Sequence, residues 1–182
     1  VIVANKMDIP EAEDNLKRVT KSLESRVVVP TSSLYELALR KASRSSLIRY
    51  VPGDPDFEVV DPSKLTEKQR QALDRIREFV RKYGGTGVQR ALNTAVFDVL
   101  GMIVVYPVEN PTKLSDKDGN VLPDAYLVRS GTTALEVAEL VHTELAKGFI
   151  AAHVVNRNKR VGADYRVQDG DVIRIVSALA RG

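Results

Sequence analysis

Two short polar runs carry side chains suited to hydrogen-bonding a ligand: Asn5-Lys6-Met7-Asp8, and, one helix later, Thr31-Ser32-Ser33. A carboxylate accepts two hydrogen bonds side by side. Asp8 can therefore hold a ligand edge that offers two N–H donors side by side. An edge without that pair would leave the carboxylate unsatisfied, at a cost of about 1–3 kcal/mol or more. The aliphatic stem of Lys6 can lie along a flat ligand face, and Asn5 can tie its loop to its neighbours. The same Asp and Ser side chains also suit plain helix N-capping.

Both runs sit where an α/β sheet would put them. Val1–Ala4 and Val27-Val28-Val29 are short apolar runs that read as strands. Helices are expected after each, the first with Leu16, Val19 and Leu23 inward and the second opening at Leu34, Leu37 and Ala38. Strand, loop, helix, strand, loop, helix predicts a parallel sheet, whose ligands lie beyond the carboxyl ends of the strands.

Residues 51–64 are rich in Pro, Gly and Asp and break the pattern. Two helices are expected next. The first presents Leu65, Leu73, Ile76, Phe79, Val80 and Tyr83 on one face, and the second Val88, Ala91, Leu92, Ala95, Val96, Val99 and Leu100. Thr66 with Gln69 and Thr86 with Gln89 have capping-box spacing, and Gly84-Gly85 supplies the turn between the helices. From Met102 onward strands dominate: Met102–Pro107, Ala125–Val128, Ile150–Val155 and Val172–Val176. Turns fall at Asp118-Gly119-Asn120 and Asp169-Gly170, and Thr133 with Glu136 opens a helix with Val137, Ala138, Val141 and Leu145 inward. Strand pair, helix, then further strands is the β-grasp order. The expected division is 1–50, 51–101 and 102–182.

Several chemistries are excluded. No G-x-x-x-x-G-K-[ST] run cradles phosphates, and no Asp-x-x-Gly follows a strand where it could hold magnesium and orient water. Gly84-Gly85-Thr86-Gly87 lacks a lysine and joins two helices, so it reads as a turn. Asp116, Asp118 and Asn120 imitate an EF-hand, but Gly119 comes too early and Leu127 stands where a glutamate belongs. His142 and His153 are the only histidines and there is no cysteine, so no metal site, zinc-thiolate site or disulfide is expected. No catalytic residue is expected either. Arg157, Lys159 and Arg160 form a basic loop between strands that can meet phosphates. Without interleaved aromatics it is not expected to stack on bases. As a solvated turn it should contribute little to stability. The net charge of +3 and pI near 9.1 permit a polyanionic partner without requiring one. No apolar run approaches the roughly 18 residues of a membrane span, and there is no signal peptide, so a soluble, cytoplasmic protein without membrane contact is expected. The chain opens at Val1 inside a buried strand, which reads as a fragment.

These residues together resemble the Obg-related GTPases. Asn5-Lys6-Met7-Asp8 is similar to their Asn-Lys-x-Asp motif, which implies that Asp8 accepts from the imino and amino groups of guanine, a pair that adenine lacks, that the Lys6 stem lies along the base face and that Asn5 ties the loop to its neighbours and to the base. Thr31-Ser32-Ser33 is similar to their Ser-Ala-Lys loop, in which a backbone N–H donates to the guanine carbonyl oxygen; Leu34 replaces the usual lysine. Tyr83-Gly84-Gly85-Thr86-Gly87-Val88-Gln89, Tyr106-Pro107-Val108, Gly119-Asn120-Val121-Leu122-Pro123 and His142–Phe149 resemble the YchF-like branch. Arg160-Val161-Gly162 with Asp169-Gly170-Asp171-Val172-Ile173 resembles a TGS domain. YchF proteins carry glutamate at the position of Asp8 and favour ATP, so the aspartate points to a guanine-specific sister group.

The resemblance implies an α/β plus α+β protein: the βαβα tail of a P-loop GTPase domain, a helical segment and a β-grasp (ubiquitin-like) TGS domain. It implies GTP or GDP as ligand, with magnesium held only by the full-length protein, and no GTP hydrolysis by this chain alone. The implied partners are the missing N-terminal half of the G domain and, for the TGS domain, RNA or the ribosome. A TGS domain making only structural or protein contacts is the alternative.

Overall fold

Two apolar triplets at the amino end pair as parallel strands in the computed structural model, which describes residues 1–179; Ala180–Gly182 of the expected terminal domain lie outside the described residues. Ile2 of β1 (Ile2–Ala4) stands opposite Val28 of β2 (Val28–Pro30). Helix α1 (Ala12–Ser22) connects them, and α2 (Ser33–Arg44) leaves β2. The Pro- and Gly-rich stretch that follows holds a small antiparallel hairpin, β3 (Ile48–Arg49) with β4 (Glu58–Val59), which the sequence pattern did not suggest.

Helix α3 (Glu67–Tyr83) starts at the expected capping box, with Thr66 and Gln69 bonding reciprocally. It buries Leu73, Ile76, Phe79 and Val80 in one core with Met7, Leu39, Ile48, Phe57 and Leu65. Each large apolar side chain withdrawn from water contributes about 1.5–3 kcal/mol. Residues 51–99 thus pack into the core of the residues before them, and Val1–Val99 form one compact unit. Asp56 fastens the hairpin loop to α3 through Arg77 (3.0 Å) and Arg81 (2.7 Å). Gly84 ends α3 in the left-handed conformation, φ 73°.

The next helix differs from expectation. Thr86 does not cap it; α4 (Val88–Asn93) begins after Gly87 with no side-chain cap, and a π-helical stretch follows over Thr94–Val99. The i→i+5 ladder breaks the 3.6-residue phase, and Leu92, Val99 and Leu100 are exposed rather than inward.

The second unit begins at Leu100. Its strands are β5 (Met102–Pro107), β6 (Tyr126–Arg129), β7 (Phe149–Val154), β8 (Lys159–Val161) and β9 (Asp171–Ser177), in the sheet order β6-β5-β9-β7-β8. Only β5 and β9 run parallel. Helix α5 (Ala134–Val141), opened by the Thr133–Glu136 capping box, packs Ala134 and Val137 against Val105, Val128, Ala152, Val154 and Ile173. This is the expected β-grasp. The helix stops sooner than its pattern suggests: His142 turns extended and its Nδ1 accepts from Glu144 N, starting a separate turn, α6 (Thr143–Lys147). Leu145 is therefore only half-buried. Among the described residues no helix is long and apolar enough to cross a membrane.

Candidate functional site

The two polar loops meet at the carboxyl ends of β1 and β2. After β1 the chain turns through Lys6, held left-handed at φ 65°. That conformation costs a lysine about 1–2 kcal/mol and persists only where the surroundings impose it. The surroundings here are two backbone bonds that extend the parallel pairing past the strands: Thr31 N donates to Ala4 O (2.9 Å), and Met7 N donates to Thr31 O (3.1 Å).

Side chains complete the junction. Ser33 N donates to Asn5 Oδ1 at 3.1 Å, and the Ser32 hydroxyl donates to Asp8 Oδ1 at 2.6 Å. The second is a short charge-assisted bond. Ser32 also caps α2, its Oγ accepting from Tyr35 N at 3.2 Å. One hydroxyl thus serves both the helix and the carboxylate. Thr31 and Ser32 are buried, Asp8 is half-buried, and Asn5, Lys6 and Ser33 are exposed. The Thr31 hydroxyl turns back to Val29 O, so Thr31 acts as a strut. Asp8 faces a cleft of about 310 Å³ shared with Tyr35, Phe79 and Lys82. Asn5 and Lys6 line a separate cleft of about 270 Å³ along α1. The loops form a tied rim rather than one enclosed pocket.

Behind the rim lies a buried carboxylate that sequence reasoning missed. Glu36, one turn into α2, is 5% exposed. It accepts from Thr86 Oγ1 (2.6 Å), Arg40 Nε (2.6 Å) and Tyr50 OH (2.7 Å). Burial pushes its pKa up, but the bonds from Thr86, Arg40 and Tyr50 outweigh burial and hold it below the ordinary glutamate range. Burial, then the bond to Glu36, pushes Tyr50 up to about 12. This contact takes the Thr86 hydroxyl away from α4. Thr86 O in turn accepts from Ser32 N at 2.9 Å. Gly87, at φ 84°, lies so close that a Cβ would sit 2.0 Å from Pro30 O. No local spacing could have revealed a partnership spanning two helices and a hairpin.

In the second unit the three basic residues part company. Arg157 Nε pairs at 2.6 Å with Asp171, a fully buried carboxylate that also accepts from Tyr165 OH and Gln168 N. Arg157 therefore belongs to the fold, and the expectation of a free, solvated turn fails for it. Lys159 Nζ lies 5.5 Å above the Tyr165 ring. Arg160 is exposed on β8 and stands in register with His153, which pairs in turn with Arg174 on β9. Among the described residues Arg160 and Arg174 have no ion-pair partner. Arg174 was missed because single residues of a strand carry no cluster signal.

Comparison with known proteins adds to this geometry. The model of the family described as Obg-like GTPase YGR210-like, G4 motif-containing domain, matches residues 3–110, and that of the TGS domain matches residues 117–177. An uncharacterized GTP-binding protein of Methanocaldococcus jannaschii is 51% identical over 178 residues, covering 98% of this chain and 45% of the relative. One of Schizosaccharomyces pombe is 28% identical, covering 89% of this chain and 40% of the relative. The crystal structure of a GTP binding protein from Pyrococcus horikoshii OT3 superposes with a TM-score of 0.73 at 38% identity, covering 97% of this chain and 45% of that one. The chain spans under half the length of these relatives.

Proposed function

Since the chain belongs to the YGR210-like group of Obg-like GTPases and carries a TGS domain, we propose that its first unit is the base-recognition half of a guanine-nucleotide site. The observation that supports this most is the Ser32–Asp8 bond, which aims a half-buried carboxylate while leaving lone pairs for a ligand. Asp8 accepts the guanine imino and amino protons, and the Lys6 stem covers a base face. The Ser33 N–H, which donates to Asn5 Oδ1, lies where it can turn to the guanine carbonyl oxygen. Phosphate and magnesium contacts fall to the part of the relatives that lies outside this chain. Those contacts dominate affinity for a nucleoside triphosphate, so these residues alone bind weakly and turn nothing over. The test is Asp8→Asn in the full-length gene product, by competition titration. GTP affinity is expected to fall about tenfold or more, with xanthosine triphosphate gaining because its extra carbonyl suits an amide donor. An unchanged preference for guanine overturns the assignment.

A second reading concerns the TGS unit, which we propose binds RNA, on the ribosome or free, in the cytoplasm. It is supported by cations in cross-strand register, Arg160 and Arg174 flanking His153, which have no ion-pair partner among the described residues; Lys159, the next residue along β8, faces the other side of the sheet, over Tyr165. Arg157 drops out because it already serves Asp171. Phosphate contacts of this kind position without reading sequence. Each phosphate neutralised on a single strand gives a slope of about −0.7 in log affinity against log salt. Arg160→Ala with Arg174→Ala is expected to flatten that slope. A wild-type response already flat in salt favours a TGS unit that makes only protein contacts.

A further inference from the structure

We infer that Thr86 and Glu36 are positioning residues of the guanine site, so that the turn joining α3 to α4 is part of the base-binding machinery. The inference rests on the guanine reading above but concerns residues outside both recognition loops.

The links are continuous. Asp8 is aimed by the Ser32 hydroxyl, at 2.6 Å. The backbone of Ser32 is fixed by its N–H to Thr86 O, at 2.9 Å. The Thr86 side chain is anchored on Glu36 at 2.6 Å, and Glu36 is itself clamped by Arg40 and Tyr50. Glu36 lies one helical turn beyond Ser32, and its own N–H donates to Ser32 O at 3.1 Å. Ser32 is thus gripped from α2 on one side and from the 84–87 turn on the other. Thr86 and Ser32 are both fully buried, and Gly87 touches Pro30 immediately before the loop. Such a packed, hydrogen-bonded seam transmits displacement instead of absorbing it.

A Thr86 side chain that serves α2 fits this role. The N-cap position of α4 falls on Gly87 with no side-chain cap, while the Thr86 hydroxyl is turned to Glu36. By linkage, whatever the turn does for guanine affinity, guanine must do for the turn.

The test uses Thr86→Val, which keeps shape and loses the hydroxyl, and Thr86→Ser, which keeps the hydroxyl, both in the full-length gene product. Leu73→Ala in the core serves as a control for general destabilisation. Thr86→Val is expected to lower affinity for GDP about tenfold and to narrow its preference over xanthosine diphosphate. Thr86→Ser should restore both to within about twofold, and Leu73→Ala should leave the preference unchanged. In hydrogen exchange, GDP is expected to protect the 84–88 amides of the wild type, and not those of Thr86→Val. Wild-type preference in Thr86→Val, or an 84–88 turn indifferent to GDP, overturns the inference. If Asp8→Asn loses guanine preference while Thr86→Val does not, only the inference fails. If Asp8→Asn retains it, the underlying reading has failed first.

Discussion

Replacing Gly87 by alanine probes the seam between the α3–α4 turn and the second loop by bulk alone. A Cβ there would lie 2.0 Å from Pro30 O, 2.8 Å from Thr31 Oγ1 and 2.9 Å from Thr31 Cα. Real Cβ contacts stay beyond 3.0 Å, so the backbone at Pro30 must retreat by about 1 Å, with no flexible side chain to yield instead. At φ 84° the alanine also pays about 1–2 kcal/mol for its left-handed conformation. Distorting the packed backbone adds about 1–3 kcal/mol, for a total of about 2–5. Gly84 is the built-in control: φ is 73°, and nothing lies within 4 Å of a Cβ, so Gly84→Ala bears only the conformational part. Gly87→Ala is therefore expected to unfold at least about 4 °C below Gly84→Ala. Moving the loop also breaks the Ser32–Asp8 bond, so GDP affinity of the full-length protein should fall at least about tenfold in Gly87→Ala alone. Thermal unfolding and competition titration read the two effects. If the two alanine variants match in both, the close approach does not hold the loop in place and the argument is wrong.

Arg157→Ala is expected to lower the unfolding temperature of the protein, because it strips the cation from buried Asp171, whereas Arg160→Ala leaves it within error; equal shifts by thermal unfolding would refute this division. Asp56 is held down to about 2 by Arg81 first, then by the Phe57 N–H and Arg77. A depressed carboxylate contributes stability above its ordinary value of 3.8 that is lost as pH falls towards about 2. Unfolding measured across that window is expected to show a shallower acid decline in Asp56→Asn than in wild type, and identical slopes would remove Asp56 from the account.

What the sequence made legible depended on how far apart the cooperating groups lie. Thr66 with Gln69 and Thr133 with Glu136 were readable as capping boxes because both partners sit within one turn. Thr86 with Gln89 had the same spacing and failed, since the helix starts one residue later, after Gly87, and the Thr86 hydroxyl is turned to a buried carboxylate on α2. The residue types of Asn5, Asp8, Ser32 and Ser33 announced polar loops at strand ends. The two bonds that tie those loops cross from one βα connection to the next, and no periodicity encodes them. The ion pair of Arg157 was hidden for a related reason. Asp171 directly follows the Asp169-Gly170 turn, and its burial beneath Arg157 depends on how β9 enters the sheet. The π-helical stretch was hidden because Thr94–Val99 continues the apolar helical spacing with no Pro or Gly to mark a break.

The position of β9 governs how the second unit can come into being. It is the middle strand of its sheet, yet the last of the five to be synthesised. While it is still missing, β5 has only β6 and β7 has only β8, and isolated two-stranded pieces are marginal in water. The parallel register of Val105 with Asp171 joins the first strand of the unit to the last, a long-range contact whose closure entropy is met before its reward. Folding of this unit is therefore expected to wait for β9, with the apolar residues destined for the sheet uncovered until then. A chain stopped before Asp171 loses the seam along which its two halves would have been sewn.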